Sequence, residues 1–176
     1  ANGAASSFAP QLFTDLGANV ISIHDKPNGK NINLRSGSTD VSILAKTVKE
    51  SGADLGIAFD GDADRSLAVD NDGSLIDGDC LMAIFANDMN ERGVLRDETT
   101  VVSVMTNLGF HLAMTDLKIK THVTPVGDRH ILKALEENDW SLGGEQSGHI
   151  IFPDLASTGD GILTALQLLD IVKRSK

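Results

Sequence analysis

The run Leu55-Gly-Ile-Ala-Phe59 is apolar, five residues long, and stops abruptly in Asp60-Gly-Asp-Ala-Asp-Arg65. An apolar run this short, bounded by polar residues, reads as a strand buried on both faces. The three carboxylates that follow repel one another and demand solvent or a cation. The strand body must therefore lie inside a sheet while its carboxyl end reaches the sheet's edge. In α/β folds that edge is where ligands bind.

The rest of the chain repeats this alternation. Phe8, Leu12, Phe13 and Leu16 recur at helical spacing before Gly17, on one expected apolar face. Asn19–His24 reads as a strand, residues 26–37 as a polar loop, and Thr39–Ser51 as a helix carrying Val41, Leu44, Ala45 and Val48. Ser66–Val69 and Ser74–Ile76 flank Asn71-Asp72-Gly73, a hairpin-type turn signal. The pattern then restarts with a helix over Asp79–Arg92, a strand over Thr99–Met105 and a helix over Asn107–Leu117. A strand over Lys120–Val126, a helix over Asp128–Glu137, short strands at Trp140–Leu142 and Ile150–Phe152, and a helix over Gly161–Val172 complete it. Two βαβ-type units, residues 1–76 and 77–176, joined near Ile76–Gly78, are the simplest organisation. In such a chain a strand precedes the first helix, so the first unit is expected to lack its opening strand, as in an excised fragment.

Bulk properties narrow the function. The net charge of −10 argues against broad binding to nucleic acid or an anionic membrane. A small anionic substrate needs only local positive charge or a metal. No apolar run approaches the roughly 18 residues of a membrane span, and no basic, apolar leader opens the chain. A single cysteine, Cys80, excludes an intrachain disulfide and fits a reducing cytoplasm. Its apolar neighbours predict buried packing.

Asp60, Asp62 and Asp64 offer hard oxygen ligands of the kind Mg²⁺ accepts while leaving room for a substrate phosphate. Gly61 and Ala63 keep the loop small. Arg65 adds a planar donor fork suited to paired phosphate oxygens. The competing reading is a solvated acidic turn, which three aspartates and an arginine at a strand end make the weaker one. An EF-hand requires Gly at position six and Glu at position twelve, where this chain has Arg65 and Asn71. A phosphatase of the haloacid-dehalogenase type, with Asp60 as nucleophile, is the second enzymatic reading. Asp64 and Arg65 stand where that family usually has small hydroxyl or β-branched residues.

A second polar cluster is Gly143-Gly-Glu-Gln-Ser-Gly-His149. In an extended loop Glu145 and Ser147 would point the same way and suit vicinal sugar hydroxyls. His149 could move a proton or donate to a phosphate, against the simpler reading of a polar bend with a structural histidine. A third cluster, Thr124-Pro-Val-Gly-Asp-Arg-His130, sits where a strand gives way to a helix. Gly127 permits a tight turn, Asp128 can cap the helix, and Arg129 and His130 lie in its first turn, where an anion could bind, with a purely structural strand-to-helix loop as the equal alternative.

These three loops, in this order, resemble those of the α-D-phosphohexomutases over essentially the whole chain. Asp60-Gly-Asp-Ala-Asp-Arg65 matches the family's metal loop, and Gly144-Glu-Gln-Ser-Gly-His149 its sugar-binding loop. The resemblance implies an α/β chain of two consecutive three-layer domains with mixed, mostly parallel sheets, the second and third of the family's four. It implies Mg²⁺ on Asp60, Asp62 and Asp64. Arg65 and His149 become catalytic candidates, and Glu145, Ser147, Gly127 and Arg129 contacts to a sugar phosphate. The softer segments Ala1-Asn-Gly-Ala, Pro27-Asn-Gly-Lys-Asn-Ile-Asn33 with Gly37-Ser-Thr, Thr124–Arg129 and Thr158-Gly-Asp-Gly-Ile162 resemble the branch acting on hexosamine phosphates. A full-length parent would add the first domain, with its phosphorylated serine, and the fourth, which clamps the substrate phosphate, and a homodimer is possible. The segment alone is expected to lack turnover.

Overall fold

The computed structural model describes residues 1–175. Among the described residues there are six α-helices and seven strands, which alternate singly only from β3 to β6. Helix α1 (Ala9–Asp15) and α2 (Ser42–Ser51) precede β1 (Leu55–Phe59), β2 (Ser66–Asp70) and β3 (Leu75–Ile76), which form one antiparallel sheet in the order β1-β2-β3. The second sheet joins β4 (Thr99–Ser103), β5 (Lys120–Thr124), β6 (Gly143–Gly144) and β7 (Ile150–Ile151) in the order β5-β4-β6-β7. It is mixed and mostly parallel, with only β7 running against its neighbour. Helices α3 (Gly78–Glu91), α4 (Leu108–Asp116) and α5 (Asp128–Asn138) pack on it, while α6 (Gly161–Arg174) lies against α3 and the first sheet.

The first sheet is antiparallel because its connections are tight. The β2–β3 turn closes on Asp70, whose Oδ1 accepts from the amides of Asp72 (3.0 Å) and Ser74 (2.8 Å), with Gly73 at φ +78°. The helices start where the sequence supplies caps. Asp77 accepts from the Cys80 amide, Asn107 from that of Phe110, and Asp160 from those of Ile162 and Leu163.

Helix α3 is the common wall of both sheets. Leu81, Met82, Phe85 and Ala86 are buried on it, in one cluster with Ala68 of the first sheet and Val102, Leu142 and Ile150 of the second. Phe85 meets Phe152 edge-on, with ring centroids 5.2 Å apart. The two sheets thus share a core.

Several local expectations fail for identifiable reasons. Asn19–His24 is not a strand. An apolar groove lined by Val20, Ile21, Phe13 and Ile57 separates it from β1, so it has no ladder partner. For the same reason β1 is an edge strand: Gly56 and Ala58 are buried, but Leu55, Ile57 and Phe59 only partly, not both faces as expected. On α1 only Phe13 of the expected apolar face is buried. Phe8 and Leu16 fall at the caps of this seven-residue helix, outside its periodicity, and are exposed. Cys80 is exposed rather than packed, since Leu81, Met82 and Phe85 take the inward face of α3. The short strand expected at Trp140–Leu142 instead pairs at Gly143–Gly144. A side chain there would collide with Ile131 or Met82.

Because α3 serves both sheets, Phe85→Ala should cost about 3–5 kcal/mol and lower the stability of the whole chain together. Urea unfolding followed by Trp140 fluorescence and by far-ultraviolet circular dichroism should give one shared, lowered midpoint. Separate midpoints would show that the sheets do not depend on a common core.

Candidate functional site

The acidic loop is held open at the end of β1 by backbone contacts from outside it. The amide of Ala4 donates to the carbonyl of Gly61 (2.8 Å), and that of Gly161 to the carbonyl of Ala63 (2.9 Å). Ala63 is left-handed at φ +67°, a strained conformation for a residue with a Cβ. Side chains at Gly3 or Gly161 would collide with this loop's backbone.

Asp60, Asp62 and Asp64 each direct a carboxylate oxygen into one space, all within 4.8 Å of one another. Asp60 is buried, Asp64 half-buried and Asp62 exposed. Arg65 is their counterion. Its amide donates to Asp60 Oδ1 (3.2 Å), and its Nε to Asp60 Oδ2 (3.0 Å) and Asp64 Oδ1 (3.4 Å). Burial, together with the neighbouring carboxyls of Asp62 and Asp64, pushes the Asp60 pKa up to about 6, against the lowering effect of the Arg65 amide. Burial also works to raise Asp64, but its hydrogen bond with Asp60 and the proximity of His149 and Arg65 outweigh it and hold Asp64 below the usual range. Three carboxylates against one guanidinium leave excess negative charge that a hard divalent cation would offset. The all-oxygen donor set fits Mg²⁺.

The glycine loop is not extended, so the alternation expected for Glu145 and Ser147 does not apply. Residues 145–148 form a tight turn. The Gly148 amide donates to the Glu145 carbonyl (2.9 Å), and the Glu145 amide to the His149 carbonyl (3.0 Å). Ser147 is exposed at the tip. The turn packs on the end of the first sheet, where the Ser66 amide donates to the Gly148 carbonyl (3.1 Å). Only glycine fits at position 148, which has φ +88° and lies against the Ser66 backbone.

Side chains link the three loops. His149 Nδ1 lies 3.0 Å from Asp64 Oδ2, joining the glycine loop to the acidic loop. Glu145 Oε1 accepts from the Gly127 amide (3.1 Å), joining it to the third loop. Gly127 is the N-cap of α5. Asp128 is the helix's first residue, and its carboxylate takes the Arg129 amide (2.6 Å) instead of supplying the cap. Arg129 is exposed, with Nε 3.4 Å from His130 Nε2. His149 itself is buried, and its Nε2 has no hydrogen-bond partner among the described residues. The backing role of Gly3, Gly159 and Gly161 escaped the sequence reading, although their spacing in short glycine-rich segments was the available signal.

Two family descriptions match the chain: phosphoglucomutase/phosphomannomutase alpha/beta/alpha domain II over residues 1–73, and domain III over residues 77–176. The chain belongs to the phosphoglucomutase/phosphomannomutase family. The acidic loop falls in the first match, and the glycine and third loops in the second. Curated relatives include phosphoglucosamine mutases of Caldicellulosiruptor saccharolyticus, 51% identical over 99% of this chain, and of Pelotomaculum thermopropionicum, 54% identical over 99%. The chain spans 39% of the length of each. Among solved structures, a phosphoglucomutase/phosphomannomutase family protein from Burkholderia thailandensis superposes with a TM-score of 0.88 at 26% identity, covering 98% of this chain and 38% of its own. An N-acetylglucosamine-phosphate mutase shares the fold with a TM-score of 0.71 at 23% identity, covering 97% of this chain and 48% of its own.

A proton on Asp60 competes with a cation, so Mg²⁺ affinity should fall as pH drops through about 6, by up to about tenfold per pH unit. Without cation the sign reverses. The folded-state pKa of Asp60 is raised, so its contribution to stability is fully present below its ordinary value of 3.8 and lost as pH rises through about 6. Calorimetric Mg²⁺ titrations from about pH 5 to 7.5 check this, and an affinity independent of pH would contradict it.

Proposed function

We propose that this chain supplies the cation-binding and sugar-recognising part of a mutase that moves phosphate between O6 and O1 of a hexosamine phosphate, with glucosamine phosphate as substrate. The observation that carries the reading is the meeting of the acidic, glycine and third loops in a chain more than half identical to phosphoglucosamine mutases.

Phosphoryl transfer is governed by positioning and charge neutralisation. Asp60, Asp62 and Asp64 would hold Mg²⁺, which when bound neutralises charge on the transferring phosphate. Arg65 is oriented for the complementary task. The carboxylates hold its Nε, and its terminal nitrogens have no partner among the described residues, leaving them for phosphate oxygens. Glu145, fixed by the Gly127 amide, and Ser147 at the exposed turn tip would take sugar hydroxyls, while Gly127 and Arg129 border the same space. The phosphate would be carried by a serine of the parent's first domain and returned through a bisphosphate intermediate, so this segment alone would not turn over. Full-length partners would be the first and fourth domains, with a homodimer open to test.

The phosphatase alternative requires Asp60 to attack phosphorus. Its side chain is 1% exposed, and both its oxygens accept from Arg65, which favours a ligand over a nucleophile. No helix among the described residues is long and apolar enough to cross a membrane.

A chimera decides between the readings. Substituting this chain for the matching segment of the Caldicellulosiruptor saccharolyticus mutase should retain conversion of glucosamine 6-phosphate to the 1-phosphate. Arg65→Ala in that chimera should lower kcat/KM by about 100-fold or more. Phosphate release without isomerisation, accompanied by covalent phosphate on Asp60, would replace the mutase reading with the phosphatase.

A further inference from the structure

The four-residue turn 145–148 is closed by the Gly148 amide on the Glu145 carbonyl. Its central peptide joins Gln146 to Ser147. That closing bond leaves the central peptide unbonded, and turning the peptide over converts one turn type into another. The change redirects the third residue's side chain, here that of Ser147. In this chain the Gln146 carbonyl is held from outside, accepting from the Gly78 amide at 3.0 Å. Ser147 keeps clear of positive φ, which the overturned peptide would impose on it. Gly78 is the first residue of α3, in the short junction between the two sheets. It does not have a positive φ either, so glycine serves close approach there: a Cβ would collide with the carbonyl oxygens of Glu145 and Gln146. The start of α3 is itself tied down. Asp77 caps it through the Cys80 amide, and the buried Asp79 accepts from the Asn107 amide through Oδ2 at 2.8 Å.

We propose that Gly78 is a positioning residue for the glycine turn: its amide locks the Gln146–Ser147 peptide and so fixes where Ser147 points. The amide of a first helical residue has no partner within its own helix and is free to hold a neighbouring loop. Three amides from three elements converge on this turn. Ser66 of β2 takes the Gly148 carbonyl, Gly127 before α5 takes the Glu145 carboxylate, and Gly78 takes the carbonyl that sets the direction of the tip. The Ser147 side chain is exposed, so the backbone beneath it supplies its orientation. A hydroxyl fixed in advance meets a sugar without the entropy cost of ordering a mobile tip. The inference rests on the sugar-recognising reading given above.

The test uses the chimera described above, with steady-state kinetics on glucosamine 6-phosphate and a Mg²⁺ titration of each variant. Gly78→Ala should raise KM by about tenfold or more while Mg²⁺ affinity stays the same, since its Cβ displaces the turn and not the acidic loop. Ser147→Ala should also raise KM, and the double variant should lose little more than Ser147→Ala alone, because Gly78 acts through Ser147. A purely structural role would instead make the two losses add, and additive losses or an unchanged KM in Gly78→Ala overturn the inference while leaving the mutase reading standing. Hydrogen exchange resolved at the Gly78 amide of the unsubstituted chimera decides the matter even where Gly78→Ala fails to fold. Protection that deepens when glucosamine 6-phosphate binds supports the lock, and exchange as fast as in an unstructured peptide overturns it. An unsubstituted chimera that does not isomerise glucosamine 6-phosphate overturns the mutase reading and the inference with it.

Discussion

The amide of Ser66 donates to the carbonyl of Gly148, and beside it His149 Nδ1 lies 3.0 Å from Asp64 Oδ2. These two contacts hold the end of one sheet against a turn from the other. The remaining geometry follows from them. With the turn fixed, the Glu145 carboxylate reaches the Gly127 amide and brings in the start of α5. With Asp64 fixed, Arg65 can span two carboxylates through a single nitrogen and leave its terminal nitrogens outward. Close approach of two backbones is possible because the residues at contact are glycines 78, 148 and 161, each lying where a Cβ would collide, and Gly159 leaves the same room for the His149 ring.

Beneath the contact lies α3, whose Leu81, Met82 and Phe85 are buried against both sheets. Hydrophobic burial fixes the distance between the sheets, and the polar contacts then set the register of their loops. The acidic loop stores the electrostatic cost. Asp60 is buried beside two other carboxylates with one guanidinium in reach, which explains its raised pKa. Strain at Ala63 is concentrated in the same loop, as is common where a site must be held in one shape.

Much of this was legible in the residues. The strand Leu55–Phe59 has the predicted bounds, and five of the helices lie within a few residues of their expected places, because their periodicity and caps are local signals. The spacing of the three acidic residues pointed to one loop, and the structure brings their carboxylates within 4.8 Å of one another. What the sequence could not display was pairing at a distance. Asn19–His24 has strand composition but no partner across the groove, and Trp140–Leu142 yields its pairing to the two glycines that follow. An extended glycine loop was one of two readings open to the residues, and Gly148 at φ +88° decides for the polar bend. The burial of His149 depends on Gly159, ten residues along the chain, and on Asp64 from the other sheet, neither of which residue type alone displays.

The central claim is that three aspartates from one sheet, held in place by the loop of another, form a single divalent-cation site. Its most direct test is a crystal of the chain grown with Mn²⁺ in place of Mg²⁺ and measured at an energy where manganese scatters anomalously. The account predicts one strong anomalous peak within coordination distance of an oxygen from each of Asp60, Asp62 and Asp64, with His149 still bonded to Asp64. A fully occupied manganese elsewhere and none among these carboxylates, or a peak there with the His149 contact broken, would contradict it.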